Sequence, residues 1–277
     1  MSVLVTGGAG YIGSHMALEL LDAGEDVAVL DNLSTGVRWA VPKQAALFEG
    51  DVGDRQLVRR IVDEHQVDAI IHFAASVVVP ESVAYPLGYY LNNTVKSHAL
   101  IEAAIQAKVR HFIFSSTAAV YGMPGDQPVR EDASLAPMSP YGSSKMMTEL
   151  ILADAARAHG LTFTVLRYFN VAGADVKGRS GQSTPRATHL LKVACETALG
   201  KRSHMEVFGT DYPTPDGTCV RDYIHITDLT RAHMAALGHL RGGGSSAIYN
   251  CGYGRGFSVL EVIDAVRRAS GRDFEVR

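Results

Sequence analysis

The sequence predicts an α/β protein built on a doubly wound parallel sheet, and three observations carry that prediction. Short apolar runs alternate with amphipathic stretches over residues 1 to about 168. The runs are too uniformly apolar to leave one face wet, which is the pattern of parallel strands covered on both sides. The first run ends in glycines and leads directly into a helical stretch, the strand-to-helix turn of such sheets.

Taken in order, strands are predicted at 2–6 (SVLVT), 27–30 (VAVL), 46–48, 69–73 (AIIHF), 111–114 and 163–166 (FTVL). Helices are predicted between them at 14–23, 56–65, 86–107 and 140–159. The rhythm breaks after Asn170. A stretch rich in Gly, Ser and charge, 172–186, reads as a loop. A helix at about 187–199, a strand at 205–208, a long loop at 209–222, and helices at about 227–240 and 258–269 follow. Two units are therefore expected, a sheet domain over 1–170 and a smaller mixed α/β lobe over 171–277, interleaved with the first.

Composition narrows the function. With 277 residues, 47% hydrophobic and 20% charged, the chain has the make-up of a globular protein with a sizeable core. A formal net charge of -3 supplies no basic excess to neutralise phosphates, so nucleic acid is not an expected partner. Cys195, Cys219 and Cys251 are widely spaced and form no CxxC pair, which points away from a disulfide framework or zinc knuckle and toward a reducing, cytoplasmic setting. No signal peptide fits the N-terminus, and no apolar run approaches a membrane span. His225, His233 and His239 lack carboxylate or cysteine companions at a ligand spacing, so no metal site is expected.

The chemistry concentrates in three motifs. The first, Thr6-Gly7-Gly8-Ala9-Gly10-Tyr11-Ile12-Gly13, follows the first strand and opens the first helix. Gly7, Gly10 and Gly13 let the backbone turn tightly and approach a pyrophosphate, toward which the N–H groups of the helix N-terminus point. Such a triad also occurs in ordinary strand-to-helix turns. Its setting argues for a Rossmann-like dinucleotide site, because Asp31 ends the second strand, where a carboxylate accepts from a ribose 2′-hydroxyl. That carboxylate would repel a 2′-phosphate, and the nearest arginine is Arg38, so NAD is expected rather than NADP.

The second motif, Ser139-Pro140-Tyr141-Gly142-Ser143-Ser144-Lys145, puts Tyr141 and Lys145 on one helix face. A phenol with a pKa near ~10 is a poor base at neutral pH. An ammonium ~6 Å away, at an effective dielectric of ~20, would favour the phenolate by about 3 kcal/mol, or roughly two pKa units. The bland alternative is a surface Tyr and Lys that happen to be four residues apart. The third motif is Ser115-Ser116-Thr117-Ala118-Ala119, at the end of the fifth strand. At least one of its hydroxyls should face the ligand crevice, while the others cap the strand end.

In this order, with the runs TGGAGYIGSH, LDNLSTG, SSTAAVYG, SPYGSSK, LRYFNVAGA and FGTDYPTPDGTCVRDYIH, the sequence resembles the extended short-chain dehydrogenase/reductases over essentially its whole length. Within them it is similar to the branch that epimerises nucleotide sugars at C4. The resemblance implies an NAD-dependent epimerase acting on a UDP-hexose, UDP-glucose and UDP-galactose, through a 4-keto sugar, with a homodimer formed by the paired helices of 86–107 and 140–159. It implies that Tyr141 is the base, Lys145 its partner and a ribose ligand, and Thr117 a bridge between substrate oxygen and tyrosine. Tyr11, Ile12, Asp31, Asn32, Asp51 and Val52 would hold the adenosine half and pyrophosphate, with the glycines 7, 10 and 13. Phe73, Ala74, Ala75, Asn92, Ser115 and Phe169 would line the rest of the cofactor cleft. Asn170, His189, Leu190, Val207 and Arg221 match positions that hold the UDP-sugar. Arg221 also suits a diphosphate by its charge, or else pairs with Asp222 or Asp228.

Two departures stand out. Val77 occupies a place where many members carry a lysine, and members continue for some tens of residues past the equivalent of Arg277, so the sequence is expected to be truncated there. Sister chemistries are separable on the third motif. A 4,6-dehydratase needs carboxylates directly after the threonine, and a UDP-glucuronate decarboxylase a glutamate; Ala118 and Ala119 offer neither. Epimerisation of UDP-xylose/UDP-arabinose or of N-acetylated UDP-hexoses depends on pocket size, which motifs do not report. A non-catalytic NAD-binding regulator would have no use for the Tyr141–Lys145 pair.

Overall fold

Apolar strands without a polar face are satisfied only inside a sheet, and the computed structural model, which describes residues 1–125, 128–184 and 188–277, places them there. The strands are β1 Ser2–Thr6, β2 Asp26–Asp31, β3 Ala46–Glu49, β4 Val67–His72, β5 His111–Thr117, β6 Thr162–Tyr168, β7 Asn170–Ala172, β8 His204–Met205, β9 Val220–His225, β10 Ala247–Cys251, β11 Gly256–Ser258 and β12 Glu275–Val276. The α-helices are α1 Tyr11–Asp22, α2 Arg55–His65, α3 Val79–Ala84, α4 Pro86–Tyr89, α5 Lys96–Gln106, α6 Pro140–His159, α7 Leu190–Ala198, α8 Ile226–Arg241 and α9 Val259–Ser270.

Seven strands form one parallel sheet in the order β3-β2-β1-β4-β5-β6-β10. The direction of winding reverses between β1 and β4, which opens a crevice at the strand C-termini. Leu4, Ile70, Phe112 and Phe114 pack into one apolar layer, and Val3, Val5, Ile71 and Ile113 into the other. Helices α2, α5 and α6 cover the first face, α1 and α8 the second. The smaller lobe holds a three-stranded sheet, β11-β9-β7, the short β8–β12 pair, and a separate core in which Ala194 and Met205 meet Ile263 and Val266.

Several elements differ from the sequence reading. Helix α1 starts at Tyr11 rather than 14, because Gly10 is its N-cap and Gly13 already lies inside the helix. The stretch 86–107 is three pieces, with a π-helical turn at Tyr90–Val95 between α4 and α5. YLNNTV contains no breaker residue, so periodicity does not reveal it. Of the strand expected at 205–208 only Met205 falls in a strand, β8, which starts at His204, and β9 begins inside the loop at 209–222. VRDYIH mixes polar and apolar residues without alternation, unlike the buried runs. The edge strand β10 joins the main sheet from beyond the break at Asn170. The loop at 172–186 and the helix expected from 187 extend into 185–187, which lie outside the described residues; α7 is described from Leu190. Among the described residues no helix is long and apolar enough to cross a membrane.

The end of α8 is fastened to the main sheet by charge. Arg241 donates from Nε and Nη2 to Asp68 at 2.9 and 2.8 Å and from Nη1 to Glu25 at 2.6 Å, with all three side chains largely withdrawn from water. Removing Arg241 leaves Glu25 without its ion pair and Asp68 with only Arg110, at 3.7 Å. Arg241→Ala is expected to lower stability by about 3 kcal/mol in chemical denaturation.

Candidate active site

The glycine turn is built around close approaches. Gly7 has φ of +72°, and a Cβ there would lie 2.6 Å from the Ala74 nitrogen. A Cβ on Gly13 would lie 2.2 Å from the Gly7 carbonyl oxygen. Side chains would therefore fill the cradle that brings β1, α1 and the end of β4 together. No side chain caps the N-terminus of α1, so its first N–H groups remain available to an anion. At the tip of β2, the buried Asp31 accepts from the Ala9 N–H at 2.9 Å and the Leu33 N–H at 2.8 Å. Two backbone amides thus aim this carboxylate while leaving it further acceptor capacity. This donor and acceptor set fits the pyrophosphate and ribose of NAD.

The flanking residues complete the cleft wall. The Tyr11 hydroxyl donates to the Gly173 carbonyl at 2.7 Å, and burial holds that phenol well above its ordinary range. Ser14 meets Ser180 at 2.9 Å, so the loop after β7 closes over α1. Ile12 packs beneath it against the apolar layer. The Asn32 side chain accepts from the Ser34 N–H at 3.1 Å. Asp51 accepts from Gly53 at 2.8 Å and pairs with Lys96 at 2.5 Å, a partner that the sequence motifs did not reveal. Val52 is buried in the core, the Phe73 ring lies tilted 4.9 Å from the His233 ring, and Ala74 faces Gly7. Ala75 is followed by Ser76, whose hydroxyl accepts from Asn92 at 3.0 Å. Phe169 lies against Gly252.

Thr117, Tyr141 and Lys145 meet at the C-terminal end of β5. Ser139 caps α6 by accepting from the Gly142 N–H at 3.2 Å, with Pro140 in the first turn. Gly142 lets that turn sit against the 3₁₀ turn Ala118–Val120, since a Cβ there would lie 2.6 Å from the Ala119 carbonyl oxygen. Lys145 is buried, donates to the Ser115 carbonyl at 2.9 Å, and stands 4.8 Å above the Phe114 ring. Thr117 is buried beside Tyr141, and its hydroxyl also accepts from the Ala119 N–H at 3.1 Å. Of the three neighbouring hydroxyls, Ser115 bonds Tyr168 and Ser116 bonds Glu149.

The electrostatics correct one expectation. Burial pushes the Tyr141 phenol up, with only the Thr117 hydroxyl pulling it back. Burial also pushes the Lys145 ammonium down to about 7, against the opposing charge of Glu149. The chain by itself therefore does not lower Tyr141 toward neutrality, because the loss of water on burial outweighs the hydrogen bond from Thr117. Equally dry is His72, which accepts a place between Thr6 at 2.6 Å and Ser97 at 2.8 Å and is held neutral by burial, down to about 3.

The smaller lobe contributes a cavity of about 930 Å³, lined by Asn170, His189, Leu190 and Arg221 among others. Arg221 bonds only the neighbouring Val220 carbonyl, at 2.8 Å, and no carboxylate of the described residues pairs with it. Asp222 instead accepts from Tyr253 and Gly254, and Asp228 pairs with Arg231. Burial and the nearby Lys192 keep the His189 imidazole low. Val207 does not line this cavity; its side chain packs in the lobe core, while Glu206 and the exposed ring of Phe208 face the opening.

The chain has relatives over nearly its whole length. Residues 3–252 match the NAD dependent epimerase/dehydratase family. A UDP-glucose 4-epimerase of Azospirillum brasilense is 58% identical over 269 residues, covering 97% of this chain and 77% of the relative. The crystal structure of UDP-glucose 4-epimerase from Brucella ovis in complex with NAD is 44% identical, with a TM-score of 0.97, over 100% of this chain and 85% of that one. A UDP-glucose-4-epimerase from Stenotrophomonas maltophila with bound NAD and formylated UDP-arabinopyranose is 40% identical at a TM-score of 0.95, with coverage of 100% and 85%. The chain belongs to the NAD-dependent epimerase/dehydratase family.

Proposed function

We propose that this chain interconverts UDP-glucose and UDP-galactose at C4 with NAD as its cofactor. The observation that carries this reading is the convergence of Thr117, Tyr141 and Lys145 at the end of β5, in a chain that also holds the glycine turn and a cavity lined by Arg221. The names of the relatives and structures similar to it support the same activity.

In this reading Gly7, Gly10 and Gly13 bring the α1 amides to the pyrophosphate and Asp31 takes the ribose hydroxyls. Bound NAD supplies the reversible two-electron oxidation of C4. Lys145 orients the nicotinamide ribose, and Tyr141, relayed by Thr117, removes the proton of the 4-hydroxyl and later returns it. Asn170, His189, Leu190 and Arg221 hold the UDP moiety, so the sugar can turn about its diphosphate between the two transfers. Ala118 and Ala119 form the 3₁₀ turn beside the threonine and carry no acid or base, which leaves elimination of water without a catalyst. We divide the chain between a cofactor domain, 1–170, and a substrate lobe, 171–277, with β10 crossing back to the first. Three free cysteines suit a cytoplasmic setting.

We also propose a homodimer. Val83, Tyr85, Leu87, Leu91 and Val95 on α3, its continuation and the π turn, with Leu150 on α6, leave an exposed apolar surface.

Tyr141→Phe is expected to lower kcat at least ~100-fold in UDP-galactose conversion while UDP still binds; near wild-type turnover would remove Tyr141 from the role of base. Asp31→Asn is expected to weaken NAD retention roughly tenfold or more, measured as cofactor remaining after gel filtration. Sedimentation should give twice the chain mass, falling to one chain in a Leu91→Glu/Leu150→Glu variant.

A further inference from the structure

Lys145 has little water, yet the reading above needs it charged. Its neighbours must therefore sustain that charge. Tyr141 and Glu149 lie on its own helix, His72 at the end of β4, and Tyr168 on β6, with Arg167 behind Glu149. His72 is neutral, and burial holds both phenols protonated. Glu149 is the one anion in this set. It sits a helical turn past Lys145 and is itself buried.

Glu149 is also the hub of a network that no motif suggested. It accepts from Arg167 Nη2 at 2.5 Å and from Arg167 Nε at 3.1 and 3.2 Å, and from the hydroxyl of Ser116. Ser116 lies between Ser115, whose carbonyl receives Lys145, and Thr117. Arg167 continues through Nη1 to the Tyr121 hydroxyl at 2.7 Å, and Tyr121 to Asn250 at 2.8 Å. One carboxylate therefore ties α6, the end of β5, β6 and the turn after Thr117 into a single dry cluster.

We propose that Glu149 is a positioning residue for the reaction. It locks the helix carrying Tyr141 and Lys145 to the strand end carrying Thr117, and places a negative charge one turn from the Lys145 ammonium. This rests on the assignment of Tyr141 and Lys145 made above. Arg167 and Ser116 hold the carboxylate and offset the cost of burying it.

The sign of the effect follows. A cation loses its proton more readily when a nearby anion is removed. In Glu149→Gln the ammonium is lost at lower pH, so the alkaline limb of the kcat profile moves down by about one pH unit or more. Because an unpaired Arg167 would itself destabilise the fold, the decisive variant is Glu149→Gln/Arg167→Met, which removes both charges. Thermal stability should return toward that of the parent while the alkaline limb stays displaced. A profile in the double variant that superimposes on the parent's would overturn the proposal and leave Glu149 a purely structural residue. Ser116→Ala, which removes one bond to Glu149 and no charge, should lower kcat several-fold with KM little changed; an unchanged kcat would remove Ser116 from the arrangement. If Tyr141→Phe and Lys145→Met both keep full turnover, the functional reading itself fails. If they are inactive and the Glu149 profiles match the parent's, only this inference does.

Discussion

A parallel sheet buried on both faces leaves its strand ends as the only places where polar side chains can gather. Every feature of the site follows from that constraint. The seven strands run the same way, so their C-terminal ends share one edge, and the reversal between β1 and β4 opens it. Thr6, Asp31, His72 and Thr117 are the terminal residues of β1, β2, β4 and β5, and all four are buried polar groups. The tight contacts at Gly7 and Gly13 belong to the same edge. They bring a helix N-terminus to it without an intervening side chain.

Dryness at this edge sets the electrostatics. Lys145 and Tyr141 are both pushed toward their neutral forms, in opposite directions on the pH scale, by the same loss of water. A base and a cation in such a place need neighbours that favour charge, and the neighbours are few. The Glu149–Arg167 pair is costly to bury and makes sense as part of that setting more than as a source of stability. On the side of the smaller lobe the logic is reversed. Arg221 remains exposed and, among the described residues, without a carboxylate at its cavity, where a diphosphate would be its counter-charge.

Much of this was legible in the residues. Runs such as SVLVT and HFIF declare buried strands, and the seven-residue glycine turn, Asp31, and the Tyr141–Lys145 spacing each point to one location in such a sheet. The smaller lobe was harder to read. Its strands are short and lie at edges, where VRDYIH and AIYNC mix polar and apolar residues and carry no buried-strand pattern. The π turn at Tyr90–Val95 left no trace in composition, and the inward face of Val207 depended on how β8 pairs with β12.

The sequence by itself determined the parallel sheet, the dinucleotide turn and the identity of the groups that converge on it, because those depend on local periodicity and on which residues tolerate a close backbone. Only the tertiary structure decided the state of those groups. Whether Lys145 carries its charge, whether Arg221 is paired, and what Glu149 faces are questions of burial and of neighbours far away in the chain. Such long-range desolvation and pairing energies are not encoded in any short stretch.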